Sequence, residues 1–177
     1  MQETIRLRLP EDNGALAGLE AGQEVLLSGV MYTMRDAGHM RALEALERDG
    51  SLPFGLEGQT LFYAGPTPAA AGRPLGSVGP TTASRMDFAA PRLFEAGIAA
   101  TIGKGKRSAS VREACARLGK VHFTAVGGVA ALLAKCVISA ETIAWEDLGA
   151  EALVRLEVSD FPVFVAIDAH GNDIFDR

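Results

Sequence analysis

The chain has 177 residues, 48% of them hydrophobic, which suits one folded domain with a sizeable core and excludes a disordered segment. Its net charge of −5 argues against a nucleic-acid or membrane-surface role, so any anion site must be a local cluster of cations. No apolar run approaches the ~20 residues of a membrane span, and Glu3, Arg6 and Arg8 are unlike a signal or transit peptide. Two cysteines without C-x-x-C spacing, Cys115 and Cys136, predict a reduced, cytoplasmic protein.

Strands and helices alternate along the chain. Thr4 to Leu9 alternates apolar and charged residues, as a half-exposed strand does, and Glu24 to Met31 reads as a buried strand. The spacing predicts a helix from Asp36 to Asp49, closed by Gly50, with Ala37, Met40, Leu43 and Leu46 inward. Thr60 to Ala64 follows as a strand, then a Pro/Gly-rich loop from Thr67 to Gly76. A helix is expected from about Thr82, interrupted or restarted near Pro91, and a strand from Ile98 to Ile102. Ser110-Val111-Arg112-Glu113 fits a capping box opening a helix that ends near Gly119. Val121 to Val126 reads as a strand and Gly128 to Lys135 as a short helix. Leu153 to Val158 and Val163 to Ile167 read as a strand pair, with a turn at Gly171-Asn172 beyond them. Without an internal repeat or interior linker, residues 1–177 make one α/β domain with a mixed sheet.

Gly79-Pro80-Thr81-Thr82-Ala83-Ser84-Arg85-Met86-Asp87 puts two neighbouring threonines, an arginine and a carboxylate at a loop-to-helix junction. On a helix Thr81 and Arg85 share a face, and a hydroxyl beside a guanidinium near a helix start suits a carboxylate or phosphate. Arg35, Arg85 and Lys104 each sit where a strand or loop meets a helix start. Such ends cluster on one edge of an α/β sheet, and three cations there suit a small dicarboxylate. Taken singly, each reads first as a solvated surface charge, the reading kept for Arg41, Arg48, Arg112 and Arg117. Thr82 reads as a helix cap, and Thr81 stands between capping and proton transfer. His39, four residues after Arg35, could orient that arginine or a substrate carboxylate, or simply make a structural hydrogen bond. Asp87 is expected to pair with a nearby arginine, and His122 and His170 look structural. No histidine–carboxylate spacing suggests a zinc site. Gly97 lies one residue too far before Gly103-Lys104 for the phosphate-binding G-x-x-x-x-G-K pattern.

Five segments together carry a resemblance. Tyr32 to His39 is similar to a T-x-RDAAH segment, Gly79 to Asp87 to GPTTA-x-RMD, and Gly103 to Ser108 to a KGNRS loop. Val126 to Ala131 and Ile167 to Asn172 are similar to GGPAA and D-x-HGN. In this order they resemble the C-terminal domain, or β subunit, of the iron–sulfur hydro-lyases of the class I fumarase and tartrate dehydratase type. The resemblance implies a three-layer β/β/α swivelling-domain fold. It implies carboxylate binding by Arg35, Arg85 and Lys104, and proton transfer by Thr81 with an aspartate from the other domain; His39 and Asp87, from their own positions, are candidates to stand behind these residues. It implies a [4Fe–4S] cluster held by a separate α subunit. A hydro-lyase cluster needs three thiolates, and this chain has two cysteines, both expected to be buried. Lys106 stands where the family has asparagine, which removes one specific polar contact and adds charge.

The expected function is the β subunit of a hetero-oligomeric hydro-lyase that reversibly hydrates fumarate to malate. The alternatives are a tartrate dehydratase β subunit, forming oxaloacetate, and a non-catalytic carboxylate- or phosphate-binding module.

Overall fold

The computed structural model describes residues 3–126 and 128–176. The strands are β1 (Ile5–Leu9), β2 (Glu24–Thr33), β3 (Thr60–Phe62), β4 (Ala100–Gly103), β5 (Val121–Thr124), β6 (Val137–Ala144) and β7 (Leu153–Ile167). The helices are α1 (Asp36–Asp49), α2 (Ala90–Glu95), α3 (Ala109–Leu118) and α4 (Ala130–Ala134), with short 3-10 turns between elements.

The described strands form one mixed sheet that closes on itself. β1 to β5 run parallel in sequence order, while β7 runs antiparallel to both β2 and β5, so β2-β3-β4-β5-β7 make a circuit. The two long strands make closure possible by changing partners midway. One edge of β2 pairs with β1 from Val25 to Gly29 and with β3 at Tyr32 and Thr33. β7 pairs with β6 over its first half and β5 near its end, while its other edge follows β2 from Val154 to Phe164. Alternate β2 residues, including Val25, Leu27 and Met31, are buried, as a period of two requires. They join Phe62, Ile102, Phe123, Phe161 and Val163 in one core, where Phe62 meets Phe161 edge-to-face with ring centroids 5.3 Å apart. A second core lies between the strands and helices: Leu61, Tyr63 and Ile167 pack with Ala42 of α1, Leu93 and Phe94 of α2, and Val111 and Cys115 of α3.

Several expectations need correction. α1 has the predicted limits, with Gly50 in the left-handed region, but Met40 is 56% exposed and the buried residues are Gly38, His39, Ala42 and Ala45. Small side chains face inward because Met34 and the Glu151 carbonyl approach the helix closely at Gly38. The segment after Thr82 is a 3-10 turn, Ala83–Met86, followed by α2. Thr82 makes no side-chain cap bond, and Thr81 precedes the turn in extended pairing rather than sharing a helical face with Arg85. α3 starts two residues earlier than its capping-box signature: its N-cap is Ser108, and Ser110 lies inside the first turn. The expected C-terminal strand pair is one fifteen-residue strand. Its centre is a bulge with Asp160 at φ 51°, opposite Ser28; the next residue, Gly29, pairs with Val158 at φ 96°, and a Cβ there would lie 2.1 Å from the Leu9 carbonyl oxygen. β6 had no counterpart in the sequence reading. Cys136 is only half-buried, unlike Cys115.

Candidate active site

The parallel strands direct their C-terminal ends to one edge, and the basic motifs leave from those ends. β2 ends at Thr33; the Met34 amide still donates to the Phe62 carbonyl at 3.2 Å, and Arg35, in extended backbone, caps α1. The Arg35 carbonyl accepts two bonds from one residue: the His39 amide at 2.9 Å and His39 Nδ1–H at 2.8 Å. Burial, opposed by the bond to that carbonyl and aided by the Arg107 charge, lowers the His39 pKa from 6.5 to about 4. The ring is therefore neutral, and its Nδ1 proton fixes the Arg35 main chain rather than its guanidinium.

Asp36 joins the two arginines. Its Oδ1 accepts from Arg85 Nε at 3.0 Å, and its Oδ2 lies 3.9 Å from Arg35 Nε. One carboxylate between two cations reduces their repulsion and leaves their remaining donors for a ligand. Lys104 and Thr81 come together through the backbone. The Thr81 amide donates to the Tyr63 carbonyl at 2.6 Å, the Lys104 amide to the Thr81 carbonyl at 3.2 Å, and the Ala83 amide to the Lys104 carbonyl at 2.8 Å. Residues 80–83 thus continue the sheet between the ends of β3 and β4. Gly103 permits this approach: a Cβ there would lie 2.9 Å from Ala83 Cβ and 3.0 Å from Tyr63 Cδ2. Lys104 and Arg85 are exposed, Thr81 and Arg35 half-buried, and Lys104 makes no ion pair among the described residues. Three cations against Asp36 leave an excess of two positive charges, which matches a dianion.

Beneath this edge lies a polar network the sequence reading did not assemble. Arg107, its side chain 1% exposed, donates from Nε to Asp87 Oδ1 at 2.6 Å and from Nη2 to the Tyr63 hydroxyl at 3.3 Å. Its Nη1 donates to His122 Nδ1 at 3.1 Å, and Asp87 Oδ2 accepts the Ser108 amide at 2.7 Å. Burial opposes the Arg107 charge, but Tyr63 and Asp87 outweigh it, so its pKa lies above the ordinary arginine value. His122 is held neutral, first by burial and then by the Arg107 charge. Tyr63 stands between His39, with centroids 5.1 Å apart, and His122, 6.3 Å away. Asp87 therefore faces inward, and its arginine is Arg107. Arg107 lies in the KGNRS-like loop, but nothing in the linear sequence marks a buried guanidinium.

The remaining motifs sit elsewhere or support the edge. Lys106 is exposed and bonds Asp176 at 3.2 Å. In the GGPAA-like segment Gly127 lies outside the described residues; at the start of α4, the Ala130 carbonyl accepts the Val78 amide at 3.3 Å, bracing the loop that leads to Thr81. The D-x-HGN-like segment lies at the opposite end, since β7 is antiparallel. There Asp168 accepts the amides of Ala21, His170 and Asn172 and the Asn172 side chain at 2.9–3.2 Å. Burial opposes its charge, yet these donors hold its carboxyl below the usual range. Arg41, Arg48 and Arg117 make exposed ion pairs with Asp147, Asp49 and Glu95, and Arg112 pairs with Asp176.

The cationic edge is open. A concavity of about 430 Å³, lined by Pro66, Pro68, Leu75, Ala150 and Val154, adjoins its Arg35 side: a Cβ at Gly65 would lie 2.9 Å from the Ala150 carbonyl oxygen and 3.2 Å from Arg35 Cδ. No three histidine, cysteine or acidic side chains converge among the described residues as a metal site would require. Cys115 lies in the helix-side core, where burial pushes its thiol up to about 12, and Cys136 packs against the other core. The residues do not fit an iron–sulfur cluster. No helix among the described residues is long and apolar enough to cross a membrane.

Fumarate hydratase 2 of Leishmania major is 38% identical over 165 residues, 92% of this chain and 29% of that protein. The anaerobic class I fumarate hydratase of Escherichia coli K12 is 39% identical over 153 residues, 85% of this chain and 28% of that protein. The L(+)-tartrate dehydratase subunit beta of Escherichia coli K12 is 34% identical over 164 residues, 90% of this chain and 80% of that protein. The chain thus spans less than a third of the fumarate hydratases but most of the tartrate dehydratase subunit. The sequence model described as Fumarase C-terminus matches residues 1–177, and this chain belongs to that family.

Proposed function

We propose that this chain is the β-type half of a hydro-lyase that reversibly adds water to fumarate to give malate. The observation that carries the reading is the open edge, where Arg35 and Arg85 share Asp36 while Thr81 and Lys104 are tied through their backbones. Arg35, Arg85 and Lys104 hold the two substrate carboxylates, and Thr81 handles the proton gained or lost by the carbon beside the hydroxyl-bearing one. A threonine hydroxyl is too weak a base at neutral pH, so a carboxylate from a partner must activate it in a closed, dry site. His39 and Asp87 act from behind the edge, through the Arg35 main chain and Arg107. The swivelling-domain architecture, in which such a half packs against a larger one, suits the closed sheet and exposed cations.

The partner is an α-type subunit, and it carries the [4Fe–4S] cluster, because the thiols here are separated and one is buried with its pKa raised. A reducing cytoplasm suits both the free cysteines and such a cluster. One observation favours a second substrate: the relative matched over most of its own length is a tartrate dehydratase subunit, so dehydration of tartrate to oxaloacetate is the alternative.

The test is anaerobic purification of the full chain from its own cells with its bound partner, followed by assay with fumarate and with tartrate. Hydration of fumarate by the complex but not by the isolated chain is expected. A larger kcat/KM for tartrate would shift the assignment within the family. Hydration by the isolated chain after treatment with iron and sulfide, or a complex inert towards both acids, would overturn the reading.

A further inference from the structure

Arg107 is buried with each of its three side-chain nitrogens hydrogen-bonded inside the fold, so it has no access to a substrate at the open edge. A buried ion pair is weak evidence for stability, because desolvation offsets much of its Coulomb energy. What distinguishes this one is where its partners lie. The Tyr63 hydroxyl is held by Arg107, and the Tyr63 carbonyl accepts the Thr81 amide at 2.6 Å. Asp87 follows Arg85 by two residues and ends the 3-10 turn that carries it. Arg107 itself follows Lys104 by three residues, closing a loop with Gly105 at φ 82°. Asp87 also holds the Ser108 amide, so the loop is fastened at the guanidinium and at the adjoining main chain. Beyond Tyr63, His39 continues the contact to the Arg35 carbonyl.

We propose that Arg107 is a positioning residue: its forked guanidinium, braced by Asp87, Tyr63 and His122, sets the register in which Thr81 and Lys104 meet at the open edge. The proposal rests on the hydro-lyase reading for its effect on rate, but not for its geometry. Lysine preserves the charge and can reach Asp87. It cannot bond Asp87, Tyr63 and His122 at once, because its donors radiate from a single atom. Arg107→Lys therefore separates the fork from the charge.

The experiment uses the full chain with its bound partner subunit and compares the native protein, Arg107→Lys, Tyr63→Phe and Thr81→Val. Two readouts are taken: steady-state kcat and KM for fumarate, and amide hydrogen exchange at Thr81 and Lys104, whose amides bond the Tyr63 and Thr81 carbonyls. In Arg107→Lys, exchange at both amides should quicken about tenfold or more while β2 and β7 stay protected. The kcat should fall about tenfold or more, since small displacements of a reacting group are costly. Combined with Thr81→Val, the Arg107→Lys loss in kcat should shrink to less than about twofold, as expected when both act through one group. Unchanged exchange, unchanged kcat per folded complex, or a full loss persisting on the Thr81→Val background would each overturn the proposal. If Arg107→Lys does not fold, Tyr63→Phe carries the same test, with about threefold expected in both readouts and the same overturning results. If the native complex hydrates no dicarboxylate, the hydro-lyase reading fails, and exchange at Thr81 and Lys104 alone decides the claim for Arg107.

Discussion

Replacing Thr81 by valine separates chemistry from structure at one position. The main chain of Thr81 makes both inter-strand bonds, 2.6 Å to Tyr63 and 3.2 Å from Lys104, and these survive the substitution. Its hydroxyl makes no hydrogen bond among the described residues and is not among the buried polar atoms without partners, so its removal leaves no unpaired group. A β-branched side chain of nearly the same shape also suits the extended backbone. Stability should therefore change by less than about 0.5 kcal/mol, or about 2 °C in Tm for a domain of this size. If Thr81 transfers the proton, kcat for fumarate hydration should fall about 100-fold or more, equivalent to ~2.7 kcal/mol of barrier. The KM should hold within about threefold, because Arg35, Arg85 and Lys104 still grip the carboxylates. The assay follows the ultraviolet absorbance of fumarate with the partner-bound chain, beside a melting curve of the same sample. A folded variant turning over at near-native rate would remove Thr81 from the chemistry and leave a carboxylate-holding half. A large fall in Tm would show that the hydroxyl is structural.

Two further outcomes follow from the site. Arg85→Ala should lower kcat/KM at least about 30-fold, because a charged partner lost from a desolvated site costs about 2 kcal/mol or more. Arg112→Ala, which breaks only a surface pair with Asp176, should change it less than about twofold; equal effects would count against Arg85 as a clamp. His39, with its pKa lowered from 6.5 to about 4, binds a proton in the unfolded chain before the folded one does, so it destabilises the fold as pH falls through that window. Between pH 7.5 and pH 5 it should remove roughly 2 kcal/mol of unfolding free energy, measured by urea denaturation. His39→Gln should flatten the profile by that amount, and superimposable profiles would show that His39 is not held neutral.

Much of this protein could be read locally. Hydrophobic alternation marks β1, an apolar run marks β2, and the left-handed glycines Gly50 and Gly119 close α1 and α3 where their positions suggest. The strand-end placement of Arg35, Arg85 and Lys104 was also legible, because parallel strands connected by helices send their C-terminal ends to one edge. Misreadings arose where local signals meet long-range contacts. Leu153 to Val158 and Val163 to Ile167 look like two strands, but β2 lies alongside and draws both segments into one strand. Met40 looks like core, but close approach at Gly38 turns small residues inward.

The sequence by itself determined the helix and strand periods, the turn glycines, the ordered motifs and hence the family, because these depend on residues near one another along the chain. Only the tertiary structure decided that Asp36 lies between Arg35 and Arg85, that Thr81 pairs with Lys104 by backbone rather than with Arg85 along a helix, and that Arg107 is the buried partner of Asp87. Each of those contacts joins segments separated by twenty or more residues, brought together by the parallel pairing of β2, β3 and β4. A guanidinium carries the same donors whether it faces solvent or the core. Which it does is set by the cavity that Tyr63, His122 and Asp87 form around it, a property of the assembled fold.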